Sequence, residues 1–341
     1  MTTNTATPPT RRTTMNAIVQ DTYGTAEVLH AAEIDKPAIA AAEILVQVRA
    51  AGISRGTWHL MTGQPYLMRV MGFGLTRPKN PVPGQDVAGV VIEVGSDVTR
   101  FQPGDEVFGI GRGAFAEYAV VSQDKLAHNP AGVSFEQAAV APVSGVTALQ
   151  ALRDKGRVGA GQKVLVIGAS GGVGTYAVQL AKSFGAHVTG VSSTGKLDLV
   201  QSLGADHVFD YTKADFTTAR SRYDLILDNV ENRSLSDVRR ALKPRGTLVL
   251  NSGTGAGGMK MMARLVRPLM LSPFVRQRLR RYLSNPNRAD LEVLKAFVEA
   301  GQLMPVIDSS FALEKTPAAL RHIEAGHARG KVVIAVGAHP Q

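Results

Sequence analysis

VLVIGASGGVGTYAVQLAKSFGAHVTGVSS, residues 164–193, is the most informative stretch of this sequence. A buried-strand run leads into a glycine-rich turn, which is followed by an apolar-periodic helix and a second strand run. Glycines let the backbone approach a pyrophosphate, and the helix N-terminus then offers free N–H groups and a positive dipole end. The spacing is GxxGGxG rather than GxGxxG, so the prediction of a dinucleotide site depends on this context. A glycine turn without a ligand is the alternative.

The end of the second strand indicates which dinucleotide would bind. It reads VSSTGK, with Ser192, Ser193 and Lys196 and no acid before Asp198. An NAD enzyme normally carries an Asp or Glu about 20 residues after the turn, on the ribose hydroxyls. Hydroxyls and an ammonium suit an extra 2′-phosphate, whereas a carboxylate would repel it. The sequence therefore predicts NADP(H), unless Lys196 only solvates the start of the next helix.

The chain around this stretch alternates buried strands and helical patterns. Its strand runs are KVLVI (163–167), HVTGV (187–191), HVFDY (207–211), YDLIL (223–227) and GTLVL (246–250). Helical patterns separate the first three runs and precede the last. This alternation predicts an α/β domain with a doubly wound parallel sheet.

The N-terminal third has a different pattern. Between residues 15 and 121 short alternating runs such as EILVQVRAAG (43–52) are split by Gly and Pro. Many short strands at close spacing predict a small barrel rather than a parallel sheet. With 341 residues, the chain is long enough for two such domains.

Composition excludes several chemistries. The absence of cysteine removes disulfides, thiol catalysis and every thiolate zinc site. We find no apolar run long enough to span a bilayer. Residues 1–14 are polar and rich in Thr and Pro, and they predict a flexible tail, with organelle targeting as the alternative. With no cysteine in the chain, a cytoplasmic location is the default expectation.

The net charge of +10 is concentrated in one basic, methionine-rich segment. Residues 259–289 hold eight Lys or Arg and no acid, so no stable nucleic-acid partner is expected. We predict two helices here, the second starting at Ser272 with Pro273 in its first turn. The favoured interpretation is an active-site flap for a bulky substrate. A membrane-surface helix pair and an interdomain or dimer contact are the alternatives.

These motifs, with PGQDVAGVVIEVGSDVTRFQPGDEVFG, GAFAEYAVV, APVSGVTALQAL and LGADHVFDY, resemble the medium-chain dehydrogenase/reductase superfamily. The sequence looks most like its zinc-independent quinone oxidoreductase branch, including the reticulon-interacting-protein type. The resemblance implies a GroES-like β-barrel catalytic domain with a Rossmann domain inserted into it and a cleft between them. The expected boundaries are 1–14 for the tail, 15–140 for the catalytic domain, 141–300 for the Rossmann domain and 301–341 for the return.

The resemblance also indicates chemistry without a metal. Zinc members carry Cys where this chain has Ser54 and His where it has Gln85, and the region leading to Thr147 offers no third ligand. Neutral polar groups cannot replace thiolate and imidazole around zinc. His59 and Asp86 alone do not make a site, so no metal is expected.

The resemblance assigns cofactor contacts along the second domain. Thr147 matches a position near the nicotinamide, Tyr211 matches one near the adenosine phosphate, and Lys331 matches a polar side chain directed to the cleft. The full expected set is Thr147, Ser170, Gly171, Gly172, Val173, Gly174, Ser192, Ser193, Lys196, Tyr211, Asn229, Val230, Ser252, Gly253 and Lys331.

The catalytic candidates are Ser54, Arg55 and Tyr66. Tyr66 lies about one position from a proton-donating Tyr of related enoyl reductases, with a pocket-wall or core role as the alternative. Arg55 could orient a polar substrate or the nicotinamide ribose, or it could pair with a surface acid.

Without a Lewis acid, hydride transfer favours acceptors that carry their own electron sink, such as quinones and α,β-unsaturated carbonyls. We therefore expect an NADPH-dependent reductase of small molecules, as a homodimer. The alternatives are an NADP-dependent alcohol or aldehyde dehydrogenase, and a non-catalytic nucleotide-sensing or nucleic-acid-binding protein that keeps the fold.

Overall fold

The structure, a computed structural model, describes residues 13–64, 66, 69–218, 220–251, 266, 268 and 270–337. The predicted first helix of the basic segment, around Met262, lies outside these residues, as do the predicted cofactor contacts Ser252 and Gly253. No helix in the described ranges is long and apolar enough to cross a membrane.

The N-terminal part is built on antiparallel strands. Its elements are β1 (Thr14–Val19), β2 (His30–Asp35), β3 (Glu43–Ile53), α1 (Arg55–Thr62), β4 (Asp86–Val94), β5 (Glu106–Ile110), β6 (Tyr118–Ser122), β7 (Leu126–His128) and α2 (Phe135–Ala139). β1 pairs with β2, while β3 pairs with both β4 and β6. Branched side chains such as Ile44, Val46 and Val87 fill the core of this sheet.

The middle of the chain forms the predicted parallel sheet. Its elements are α3 (Pro142–Gln150), β8 (Lys163–Ile167), α4 (Gly172–Ser183), β9 (His187–Ser192), α5 (Leu197–Ser202), β10 (His207–Asp210), β11 (Tyr223–Asp228), α6 (Leu235–Ala241), β12 (Leu242–Leu250), β13 (Arg278–Arg281) and α7 (Arg288–Glu299). Among the described residues the strand order is β10-β9-β8-β11-β12-β13, all parallel. The order reverses between β8 and β11, which is where such sheets bind ligands.

The last elements return to the first sheet. They are β14 (Ile307–Ala312), α8 (Thr316–Glu324) and β15 (Lys331–Ala335). β15 pairs antiparallel with β3 and parallel with β14. The chain therefore brings β15 and the loop before it against both sheets, because Gly330 also bridges to Gly171 at the start of α4.

The predicted helix from Ser272 onward is wrong. Ser272–Phe274 form a single 3-10 turn, and Arg278–Arg281 form β13, which adds to the edge of β12. Side chains alternate along this strand, so Leu279 is buried while Arg278 and Arg280 are exposed. Leu283, beyond the strand, is exposed. The open hydrogen-bonding edge of β12 therefore overrides the helical spacing of the leucines.

Candidate cofactor site and active-site cleft

The glycine turn after β8 has the geometry that a phosphate-binding turn needs. Gly168 has φ +75°, a left-handed conformation that favours glycine. A Cβ on Gly174 would lie 2.1 Å from the carbonyl oxygen of Gly168, so only glycine lets α4 approach the turn this closely. The first N–H groups of this twelve-residue helix have no partner within the helix.

The start of α4 leaves open space beside Gly171. A Cβ on Gly171, the residue before the helix, would have one neighbour within 4 Å, the Gly168 oxygen at 3.4 Å. The Gly171 side of the helix end is therefore open, whereas Gly172 packs against the Lys331 side chain. Free N–H groups and the positive end of the helix dipole match the charge of a pyrophosphate.

The residues at the end of β9 are tied to this turn. The Ser192 hydroxyl donates to the Ser170 hydroxyl at 2.7 Å, and both side chains are buried. Tyr211 lies beside the same strand end, where its N–H donates to the Ser192 carbonyl at 3.1 Å and its side chain is exposed. Ser193 follows directly, half-buried, before the turn that contains Lys196.

Lys196 does more than solvate the next helix. Its ammonium donates to the carbonyls of Gly326 at 3.0 Å and Ala328 at 2.9 Å, in the loop before β15. Burial lowers the pKa of Lys196, Asp308 nearby raises it and Arg329 lowers it. The ammonium thus lies where the end of β9 meets the chain that returns to the first sheet.

Asn229 and Val230 follow the carboxyl end of β11 and contact the glycine turn. The Asn229 amide donates to the Ile167 carbonyl at 3.2 Å and accepts from Asn251 at 3.0 Å. Val230 packs against the turn, because a Cβ on Gly168 would lie 2.7 Å from its Cγ2.

Asp228, the last residue of β11, was missed at the sequence level. Burial raises the pKa of Asp228 to about 6, although its Oδ1 accepts the N–H groups of Val230 and Glu231. These bonds shape the backbone on which Asn229 is presented. The signal that could have found it is an acid at the end of an otherwise apolar strand.

Lys331 does not present a free ammonium to the cleft. It is buried, and its Nζ donates to Oδ2 of the fully buried Asp86 at 3.1 Å. Asp86 Oδ1 accepts the backbone N–H of Val143 at 2.8 Å. Burial raises the pKa of Asp86, and the charge of Lys331 opposes that rise. The Lys331 stem packs under α4, since a Cβ on Gly172 would lie 3.0 Å from its Cδ.

Thr147 lies on α3, where it anchors the chain after β13. Its hydroxyl donates to the Val143 carbonyl at 2.6 Å and contacts the Ser284 hydroxyl at 3.0 Å. The Tyr282 hydroxyl donates to the Thr147 carbonyl. The expected nicotinamide position is thus held between α3 and the end of the parallel sheet.

The first two catalytic candidates begin α1. The Ser54 hydroxyl accepts the N–H of Thr57 at 3.2 Å, so it caps the helix. The Arg55 guanidinium lies 5.7 Å from the centroid of the Trp58 ring. Burial lowers the pKa of Arg55, and the charge of Glu324 opposes this.

Tyr66 follows the end of α1 and is 63% exposed. The Arg69 guanidinium lies 4.7 Å from its ring centroid and donates to the carbonyls of Gly63 and Thr62. The Tyr66 side chain is therefore largely in contact with solvent.

His59 is a buried residue of α1. Its Nδ1 lies 2.8 Å from the Gln64 carbonyl, which makes Nδ1 the protonated nitrogen, and burial lowers the pKa of the ring. Across the described positions, no group of three or more His, Asp or Glu could hold a metal ion.

In the basic segment, Arg278 and Arg280 are exposed, whereas Arg281 is largely buried and pairs with Glu231. Arg278, Arg280 and Arg281 of β13 line an open cavity of about 500 Å³ together with Asp154, Lys155 and Arg157. The flap, membrane and interface interpretations of this segment stay predictions.

Comparisons with known proteins identify the class. Residues 40–131 match the family described as alcohol dehydrogenase GroES-like domain, and residues 203–334 match zinc-binding dehydrogenase. The bovine (Bos taurus) mitochondrial NAD(P)H oxidoreductase RTN4IP1 is 35% identical over 96% of this chain and 90% of its own length. The 2-methylene-furan-3-one reductase of Solanum lycopersicum is 34% identical over 92% of this chain and 76% of its own.

Solved structures agree with these relatives. The quinone oxidoreductase from Coxiella burnetii superposes with a TM-score of 0.84 at 29% identity and covers 95% of this chain and 100% of its own. The Escherichia coli quinone oxidoreductase complexed with NADPH has a TM-score of 0.82 at 25% identity, with 94% and 99% covered.

The fold and the glycine turn thus define an oxidoreductase that uses a nicotinamide cofactor and a small-molecule substrate. The chain belongs to the medium-chain dehydrogenase/reductase superfamily, in its zinc-independent quinone oxidoreductase branch. The predicted fold class, with a GroES-like domain and a Rossmann domain, is confirmed.

Proposed function

We propose that this protein is an NADPH-dependent reductase that transfers hydride to quinones or α,β-unsaturated carbonyls. The observation that carries the choice of NADPH is the end of β9, where Lys196 lies beside Ser193 and no carboxylate precedes Asp198. An ammonium and a hydroxyl there favour a 2′-phosphate over free ribose hydroxyls. A relative solved with NADPH supports the same choice.

In this proposal the protein binds and orients, and the cofactor supplies the hydride. The N–H groups at the start of α4 would hold the pyrophosphate, and Lys196, Ser193 and Tyr211 would surround the 2′-phosphate. Thr147 and Asn229 would border the nicotinamide end. The buried Ser192–Ser170 hydrogen bond keeps the turn in place against β9.

The substrate class follows from the donors available around α1. The Ser54 hydroxyl is engaged as a helix cap, and neither it nor Gln85 is a ligand that zinc favours. The acceptor must therefore delocalise its own negative charge, with Arg55 as the cationic group near its oxygen. Names of relatives fit both classes, since one acts on a quinone and another on a methylene-furanone.

Proton delivery is assigned to Tyr66 or to solvent. Tyr66 is exposed, and the guanidinium of Arg69 lies 4.7 Å from its ring centroid. We also propose that the protein acts as a cytoplasmic homodimer without a nucleic-acid partner.

The first prediction is turnover itself. The purified protein is expected to oxidise NADPH in the presence of a soluble quinone or an enal, and to do so without added zinc. Absorbance at the NADPH band measures the rate, and a saturated aldehyde serves as the control acceptor. Tight NADPH binding without oxidation by any acceptor would contradict the proposal, and preference for the saturated aldehyde would favour the alcohol dehydrogenase alternative.

The second prediction concerns Lys196→Ala. We expect the affinity for NADPH to fall about tenfold or more while the affinity for NADH changes little, because a charged hydrogen bond to phosphate contributes about 1.5–3 kcal/mol. Calorimetric titration of both nucleotides measures this. Lys182→Ala is the matched control, since Lys182 pairs with Asp206 at 2.8 Å near the end of α4. An equal loss for both nucleotides would refute the 2′-phosphate assignment.

A further inference from the structure

The loop between α8 and β15, residues 326–330, runs along the candidate cofactor site; we call it the C-terminal loop. At one end its carbonyls at Gly326 and Ala328 accept from the Lys196 ammonium. At the other end the N–H of Gly330 donates to the Ser170 carbonyl at 3.0 Å. The C-terminal loop thus spans from the end of β9 to the glycine turn.

Arg329 lies in the middle of the C-terminal loop. Its Nη2 donates to both carboxylate oxygens of Asp198, at 2.8 and 2.7 Å. Within the described part of the chain, the Nε and Nη1 groups of this guanidinium make no hydrogen bond to another residue. A guanidinium has five N–H donors, so most of the donor capacity of Arg329 is unused.

The pair is weakly held and close to Lys196. The Arg329 side chain is 44% exposed and the Asp198 side chain 73% exposed. Exposed ion pairs of this kind contribute little to stability, because water screens them. The charge of Arg329 lowers the pKa of Lys196, which places the two cations within electrostatic reach of each other.

Asp198 is a problem for a site that binds a phosphate. It stands two residues after Lys196 and would repel the dianionic group that Lys196 attracts. The Arg329 side chain removes this repulsion, since it neutralises the carboxylate. A phosphate carries more charge than the carboxylate and offers a second acceptor edge, so it can compete for the same guanidinium.

We propose that Arg329 is a second cationic residue that determines specificity for the 2′-phosphate, and that it pairs with Asp198 when no nucleotide is bound. When the 2′-phosphate binds, the guanidinium transfers from Asp198 to the phosphate, and the C-terminal loop stays closed over that end of the site. This inference rests on the proposed use of NADPH.

A purely structural ion pair would behave differently. If the pair only fastened the C-terminal loop to α5, removing either partner would have the same effect, on stability and on both nucleotides. In the exchange that we propose, the two partners act in opposite directions. Arg329 attracts the phosphate, whereas Asp198 competes with it for Arg329.

The test is the affinity of Arg329→Gln and Asp198→Asn for NADPH and NADH, measured by calorimetric titration without substrate. We expect Arg329→Gln to lower the affinity for NADPH about tenfold or more and to change the affinity for NADH by no more than about twofold. Asp198→Asn should tighten NADPH by about twofold to tenfold, because it frees the guanidinium and removes a like charge. Arg321→Gln is the control, since Arg321 of α8 forms a comparable exposed ion pair with Glu27 at 3.3 Å.

The inference would be overturned if both variants lowered the affinity for NADPH. It would also be overturned if Arg329→Gln lowered the affinity for NADH as much as the affinity for NADPH. The outcome is separable from that of the proposed function. If Lys196→Ala lowers the affinity for NADPH selectively and Arg329→Gln does not, the proposed use of NADPH is supported and the proposed role of Arg329 is wrong. If the unaltered protein binds NADH as tightly as NADPH, the proposed cofactor fails as well. Thermal unfolding of each variant separates loss of folding from loss of binding.

Discussion

Replacing Lys331 with methionine is expected to lower the free energy of unfolding by about 3–5 kcal/mol at neutral pH, the usual cost of leaving one partner of a buried ion pair alone. The two side chains are 2% and 0% exposed, so water cannot solvate the Asp86 carboxylate that remains. Methionine keeps the apolar stem that packs under Gly172. Urea unfolding followed by circular dichroism measures the change.

The pH dependence of this loss checks its cause. Burial already raises the pKa of Asp86, and loss of the opposing Lys331 charge raises it further. A carboxyl whose folded pKa exceeds its unfolded pKa stabilises the folded state only when protonated, and that contribution disappears as pH rises through the folded pKa. The deficit of Lys331→Met should therefore shrink toward acidic pH.

A double replacement is the control. Lys331→Met with Asp86→Asn should recover most of the stability, because a neutral amide oxygen can still accept the N–H of Val143. A deficit that is equal at acidic and neutral pH, or one that the double variant does not reduce, would show that packing rather than charge stabilises this site.

Local patterns explain what the sequence could predict. β8 is the KVLVI run itself, and β9 and β11 each extend their predicted run by one residue. In each case a short apolar run bounded by turn residues leaves no helical alternative of useful length. The glycine turn was equally visible, because both the left-handed Gly168 and the close approach at Gly174 are constraints on single residues.

Long-range partners explain what it could not. β13 is a strand because it pairs with the open edge of β12. The local sequence RLRRYL (278–283) contains no signal of that long-range partner. The family resemblance predicted that the Lys331 side chain is directed to the cleft, whereas it pairs with Asp86, which lies 245 positions earlier in the chain. The contacts of Lys196 with Gly326 and Ala328 likewise depend on how β15 returns past α4.

Replacing Gly174 with alanine is expected to lower the free energy of unfolding by at least about 3 kcal/mol, which is the upper end of the range for overpacked cores. It is also expected to reduce kcat/KM for NADPH about 100-fold, because the turn that positions the cofactor moves. The new Cβ would lie 2.1 Å from the Gly168 oxygen and 2.7 Å from the Ala169 Cα. Both are backbone atoms of the turn, so α4 must move away from β8 to make room. Thermal unfolding and steady-state kinetics measure the two effects.

Gly171→Ala separates the two reasons for a glycine in this turn. Its φ of −85° suits any residue, and its Cβ would meet only the Gly168 oxygen at an ordinary 3.4 Å. The variant should therefore unfold like the unaltered protein and yet bind NADPH weakly, because the methyl group would occupy the space proposed for the pyrophosphate. Gly159→Ala, where a Cβ meets nothing within 4 Å, controls for the substitution itself. Normal NADPH binding by Gly171→Ala would place the pyrophosphate elsewhere, whereas normal stability of Gly174→Ala would mean that α4 can shift freely against the sheet.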